Sequence, residues 1–191
     1  MEETIIQILA RELERPEQHV RNIIALLDEG NTVPFIARYR KELHGGMDDQ
    51  LIRQLAERLQ YLRNLQQRRD EVRQSIENQG KLTDELSAAI DAAATLAEVE
   101  DLYRPYKQKR RTRATMAKEK GLEPLALLLF AQERDCPEPL AEAAKYIDPE
   151  KGVETAEDAL QGASDIVAEQ ISDDADIRKA LRELYWKKAR L

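Results

Sequence analysis

The sequence predicts an all-α fold, a multihelical scaffold with one long spine helix and a helix-turn-helix-like submodule. Apolar residues recur at steps of three, four and seven in nearly every segment, the spacing that lines one face of a helix. Runs of β-branched residues are rare, and Gly and Pro number seven each in 191 residues, too few for a turn-rich sheet protein. Charged residues make up 35% against 42% hydrophobic, and mean hydropathy is -0.64, which suits thin helical layers with much wet surface. No sheet is expected beyond an incidental pair of residues.

The elements follow from their stripes and punctuation. Ile5, Ile6, Leu9 and Leu13 mark a helix over 2–13, and Pro16 ends it. Val20, Ile23, Ile24 and Leu27 mark a second over 17–28, stopped by Gly30. In "NTVPFIARYRKEL", residues 31–43, Thr32 is placed to cap and Pro34 falls in a first turn. The spacing there predicts a short amphipathic helix, with Phe35, Ile36, Tyr39 and Leu43 docked and Arg38, Arg40 and Lys41 outward. Residues 48–78 contain no Gly or Pro, and Leu51, Leu55, Leu62, Leu65, Val72 and Ile76 recur at helical steps. Capped by Asp48 or Asp49, this helix is expected to run roughly 45 Å at 1.5 Å per residue. Thr83 caps a helix over 84–93, and another covers 96–103. After a segment that is not helical at Pro105, short helices are expected at 114–120 and 122–132, then at 139–146, 155–171 and 174–190. Thr155 with Asp158 resembles a capping box, and Ser172 or Asp173 is expected to cap the last helix.

The totals exclude several classes. One cysteine, Cys136, permits no intramolecular disulfide and no multi-cysteine zinc site. No run of about 18 apolar residues exists to span a membrane, and acids near the start disfavour a secretory signal. A soluble cytoplasmic protein is expected. With 37 acids against 30 bases, the formal net charge is -7, which taken whole disfavours nucleic acid.

One segment reverses that balance. "RPYKQKRRTR", residues 104–113, carries Arg104, Lys107, Lys109, Arg110, Arg111 and Arg113 with no acid. A positive segment on an acidic body suits a phosphate backbone, where each neutralised phosphate releases counterions. Tyr103 and Tyr106 are placed to stack on bases. The competing reading is a basic segment that pairs with the protein's own acidic helices or with another domain. "RATMAKEKGLEPLALLLF", 113–130, has helix-turn-helix spacing: Ala117 for close approach, Gly121 at the turn and Leu127 as a core residue. Its second helix has no Arg, Lys or Asn to read a base edge, so within 104–132 the basic segment is the better contact.

No catalytic residue, cofactor or metal is expected. His19 and His44 are the only histidines, and Cys136 has no assignable base. Asp48–Asp49 and Asp173–Asp174 sit at helix starts, where carboxylates satisfy free N–H groups.

"TVPFIARYRKEL" at 32–43, "GKLTDEL" at 80–86, "EDLYRPYKQKRRTRATMAKEKGLEPLA" at 100–126 and "QGASDIVAE" at 161–169 together resemble the N-terminal region of the bacterial Tex family of transcription accessory proteins. The resemblance covers essentially the whole chain, 1–191. It implies a portion of a longer protein that continues into an RNase-H-like module, helix-hairpin-helix motifs and a C-terminal OB-fold RNA-binding domain. It implies sequence-tolerant binding of RNA or DNA during transcription, and supplies no catalytic residue for this region. Arg38, Arg40 and Lys41 are then expected to meet another domain of the full-length protein. An alternative is a pure interaction scaffold that supports the other domains or contacts the transcription machinery.

Overall fold

The computed structural model describes residues 2–107, 111–133 and 137–189; Lys109, Arg110 and Cys136 lie outside the described residues. Among these the chain forms twelve α-helices and three short 3-10 turns with no strand, and Asp148 and Val153 make one isolated bridge. It divides into two compact units, Met1–Gly80 and Lys81–Leu191.

In the first unit, α1 (Glu2–Glu12) and α2 (Glu17–Asp28) pack as a hairpin around Pro16, followed by α3 (Val33–Tyr39), α4 (Lys41–His44) and α5 (Asp49–Asn78). Ile6, Leu9, Val20, Ile23, Ile36, Ile52 and Leu55 form a core with exposures of 2% or less. Asp48 starts α5 by accepting from the Leu51 N–H at 2.8 Å. The helix then runs 30 residues without a break, as its lack of Gly and Pro predicts. Its buried stripe begins at Ile52 and includes Leu59, whereas Leu51 is only half-buried. The 52, 55, 59, 62 series keeps the helical step, and Leu51 falls at its edge. Ion pairs clip the helices together: Arg21 to Glu3, Arg58 to Glu12, and Arg63 to both Asp28 and Glu2. Hydrogen bonds from Arg58 and Arg63 hold the Glu12 and Asp28 carboxyls below their ordinary range, against desolvation.

The 32–43 stretch departs from the expected single amphipathic helix. The helix breaks at Arg40, with φ -127° and ψ 34°. Thr32 makes no side-chain cap. Ile36 takes the core position, while Tyr39, expected to dock, is 58% exposed and leans on Phe35 with ring centroids 5.3 Å apart. Beyond the break, His44 turns inward. His44 is 1% exposed, and neither ring nitrogen has a hydrogen-bond partner among the described residues. Gly45 follows in the left-handed region at φ +61°, where the His19 ring occupies the place of any Cβ.

The second unit contains α6 (Asp84–Ala92), α7 (Leu96–Tyr103), a 3-10 turn at Arg104–Tyr106, α8 (Arg113–Glu119), α9 (Glu123–Ala131), α10 (Pro139–Ala143), 3-10 turns at Ala144–Tyr146 and Pro149–Lys151, α11 (Ala156–Asp173) and α12 (Ala175–Lys188). Thr83 caps α6, and Thr155 with Asp158 forms the predicted box on α11. Thr95 and Glu98 form a second box on α7. Asp174, rather than Ser172 or Asp173, caps α12, accepting from the Ile177 N–H at 2.8 Å, because α11 continues through Asp173. Pro105 sits inside a 3-10 turn instead of an irregular loop, since its fixed φ suits a first turn.

The core of this unit is built from small residues. Ala114, Ala117, Ala126, Ala143, Ala159 and Ala163 are buried with Leu122, Leu125 and Ile166. Helices α8 and α11 approach so closely that a Cβ on Gly162 would overlap Leu122 Cδ1 and stand 3.3 Å from Ala117 Cβ. Gly121, at φ +82°, makes the turn between α8 and α9. Leu127, expected in the core, is 54% exposed; α9 presents Leu125 and Ala126 inward, and Leu127 follows on the outer side. Replacing Gly162 with Ala should destabilise the chain by about 1–3 kcal/mol through overpacking, although Ala is the better helix former. Urea unfolding followed by circular dichroism should show this destabilisation, and it should shrink when Leu122→Ala supplies the space.

Candidate nucleic-acid interface

The basic segment begins where α7 ends, and α7 is fixed by charge. Asp101, 4% exposed, accepts from Arg178 Nε at 2.6 Å and from the Arg182 guanidinium. Lys179 reaches Glu98 at 3.0 Å. These three bases lie on α12, a helix with no buried residue of its own. Ion pairs therefore hold much of the α7–α12 seam. Glu98 also accepts from the N–H groups of Ala94, at 2.7 Å, and Thr95. The Lys179 hydrogen bond is the main cause of a Glu98 carboxyl held below the usual glutamate range; desolvation opposes it, and the two N–H donors reinforce it.

Along the segment itself, the described bases mostly find acids within their own unit. Arg104 Nε donates to Asp173 Oδ1 at 2.8 Å, and the Asp173 side chain is 12% exposed, so this pair is partly shielded. Lys107 pairs with Glu100 and stands 5.5 Å from the Tyr103 ring centroid. Arg111 meets Glu119 at 2.6 Å, with both side chains more than half exposed. Tyr106 is half-buried in the 3-10 turn. Thr112 caps α8 by accepting from the Thr115 N–H at 3.1 Å and is hydrogen-bonded to Glu169. Arg113, the first residue of α8, is exposed and has no ion pair among the described residues. The pairings differ in sequence signal: Lys107–Glu100 and Arg111–Glu119 are seven and eight residues apart, whereas Arg104–Asp173 and Asp101–Arg182 are 69 and 81 apart.

The 38–41 corner differs. Arg38 and Lys41 are exposed, Arg40 is half-buried with its guanidinium carbon 5.5 Å from the Phe35 ring centroid, and none of the three has an ion pair among the described residues. The corner is held from behind by Ile36 in the core and by Asn22 Nδ2, which donates to the Leu43 carbonyl at 2.9 Å.

Among the described residues, no helix is long and apolar enough to cross a membrane, and no group of three or more His, Cys, Asp or Glu side chains is arranged to hold a metal ion. The described residues define an all-helical class of protein with a strongly charged surface. Within that class, residues 3–77 match the Tex-like protein N-terminal domain, and residues 135–191 match the Tex central region-like domain. The chain belongs to the Tex family. It is 50% identical to protein YhgF of Escherichia coli K12 over 100% of its own length and 24% of that protein's. It is 48% identical to the transcriptional accessory protein Tex of Neisseria gonorrhoeae, over 98% of this chain and 24% of the relative. It is 32% identical to human S1 RNA-binding domain-containing protein 1, over 96% of this chain and 18% of the relative. The chain thus spans about a quarter of the length of the bacterial relatives.

Two outcomes follow from the α7–α12 seam. Asp101→Asn should raise amide exchange across 175–188 by about tenfold or more, the equivalent of about 1.4 kcal/mol, because each guanidinium is deprived of a partly buried partner. Glu98→Gln should lower the thermal midpoint at neutral pH. Since the Glu98 carboxyl is depressed on folding, its contribution is present above the ordinary glutamate value of about 4.3 and fades as pH falls through the folded value. The gap between Glu98→Gln and the parent chain should therefore close in acid.

Proposed function

We propose that this chain is a non-catalytic helical region of a Tex-like transcription accessory protein, and that it adds sequence-tolerant contacts to RNA or DNA through backbone phosphates. The observation that carries this reading is the acid-free basic segment 104–113, with Lys107, Arg111 and Arg113 exposed. Exposed ion pairs such as Lys107–Glu100 and Arg111–Glu119 are worth about 0–1 kcal/mol each, so a phosphate exchanges for the carboxylate at little cost. Arg104 anchors the start of the segment through Asp173, and Tyr106 supports the turn. Lys109 and Arg110 complete the positive run in sequence. The names of the relatives, a transcriptional accessory protein and an S1 RNA-binding domain-containing protein, agree in class with this reading. Phosphate contacts position a protein on nucleic acid without reading sequence.

A second reading, a protein scaffold that supports other domains or contacts the transcription machinery, draws support from one observation. Arg104, Lys107 and Arg111 already satisfy acids of the same unit. The joint substitution Lys109→Ala, Arg110→Ala and Arg111→Ala separates the two. Under the first reading it should weaken binding to every sequence alike and flatten the dependence of log affinity on log salt by about 0.9 for each duplex phosphate no longer neutralised. Unchanged affinity and slope, with impaired assembly onto the rest of the full-length protein, would establish the scaffold.

A further inference from the structure

We infer that the corner between α3 and α4 is a second nucleic-acid surface, specific for single strands, in which Arg38 and Lys41 hold phosphates and Tyr39 stacks on a base. This inference rests on the proposal that the chain works on nucleic acid, but it uses a different unit and different residues.

Several cations have no ion pair among the described residues, and Arg38 and Lys41 are two that stand close together. In the first unit, Arg21, Arg53, Arg58, Arg63, Arg68 and Arg73 each pair with a carboxylate. Arg38 and Lys41 do not, and residues 30–41 contain no acid at all. Arg11 and Arg15 also lack an ion pair among the described residues, but Glu12, Glu14 and Glu17 surround them in sequence. The nearest acid to the corner in sequence, Glu42, makes no ion pair with any of its three bases. Four consecutive residues span at most about 11 Å between their first and last Cα atoms, so the charges act on one short length of backbone.

Tyr39 sets the choice of ligand. A tyrosine 58% exposed beside unpaired cations is the combination that binds single strands, because every base offers a π-face and stacking tolerates sequence. A duplex keeps its bases stacked inside and offers Tyr39 nothing. The ring is also pre-positioned. Phe35 supports it on one side, and Arg40 lies over Phe35. Tyr39 is the last residue of α3, immediately before the break at Arg40, and lies outside the core.

The test uses the whole chain with a fluorescein-labelled 20-nucleotide oligouridylate and a labelled duplex of the same length, read by anisotropy across a salt series. The variants are Tyr39→Ala, Tyr39→Phe, the pair Arg38→Ala/Lys41→Ala, and the 109–111 triple. Arg40 is kept because its place over Phe35 is structural, and circular dichroism checks each variant's fold. Tyr39→Ala should weaken single-strand binding about fivefold or more, the low end for removal of one stacked base, with Tyr39→Phe near the parent and the duplex unaffected. The Arg38/Lys41 pair should flatten the single-strand salt slope by about 1.4. If only the 109–111 triple weakens binding, the corner is not a nucleic-acid surface and the wider proposal stands. If the parent chain binds neither probe at low salt, both fall.

Discussion

The buried carboxylate of Asp101 is the contact on which the second unit turns. Its oxygens meet two guanidiniums from α12, a helix that buries no side chain of its own. A carboxylate withdrawn from water needs such partners, and removing one exposes the full desolvation cost of the other. The same residue lies near the end of α7, so the charge network that holds α12 also fixes the point from which the basic segment departs. Arg104, bound to Asp173 at the end of α11, extends the network by one link. In this unit the apolar core is made largely of alanines and a glycine, which permits close helix approach but supplies little area. Paired charge carries more of the organisation than it does in the first unit, where isoleucine and leucine fill the interior.

An acidic chain spends most of its bases internally, and what it can bind outside depends on those left over. In the basic segment three described bases have found carboxylates, two of them in exposed pairs that a phosphate can replace. At the α3–α4 corner the bases have no such partner among the described residues. The local pattern of acids therefore matters more than the total of -7. A chain whose overall charge repels nucleic acid therefore still carries locally positive surfaces.

Much of the fold is legible in the sequence because helix boundaries are written locally. Asp48, Thr83 and the Thr155–Asp158 pair each cap as their chemistry predicts, and the uninterrupted run to Asn78 gives one helix. Departures arise where tertiary packing overrides local periodicity. The break at Arg40 cannot be seen in a stripe that reads smoothly from Phe35 to Leu43. Leu127 has the composition of a core residue, but α9 turns its neighbours inward instead. Asp173 reads as a cap by position and serves as an anchor for Arg104. The candidate site is legible as composition, six bases in ten residues, and in part as geometry: Glu100 and Glu119 lie seven and eight residues from their bases, whereas Asp173 is 69 residues from Arg104.

Photo-cross-linking of the intact chain to 4-thiouridine RNA, with the adducts located by mass spectrometry, tests most directly whether leftover positive charge defines the binding surface. Adducts are expected on peptides containing residues 38–41 and 104–113, and they should disappear at high salt. Adducts confined to the acidic helix α11, or salt-resistant adducts elsewhere, would contradict that claim.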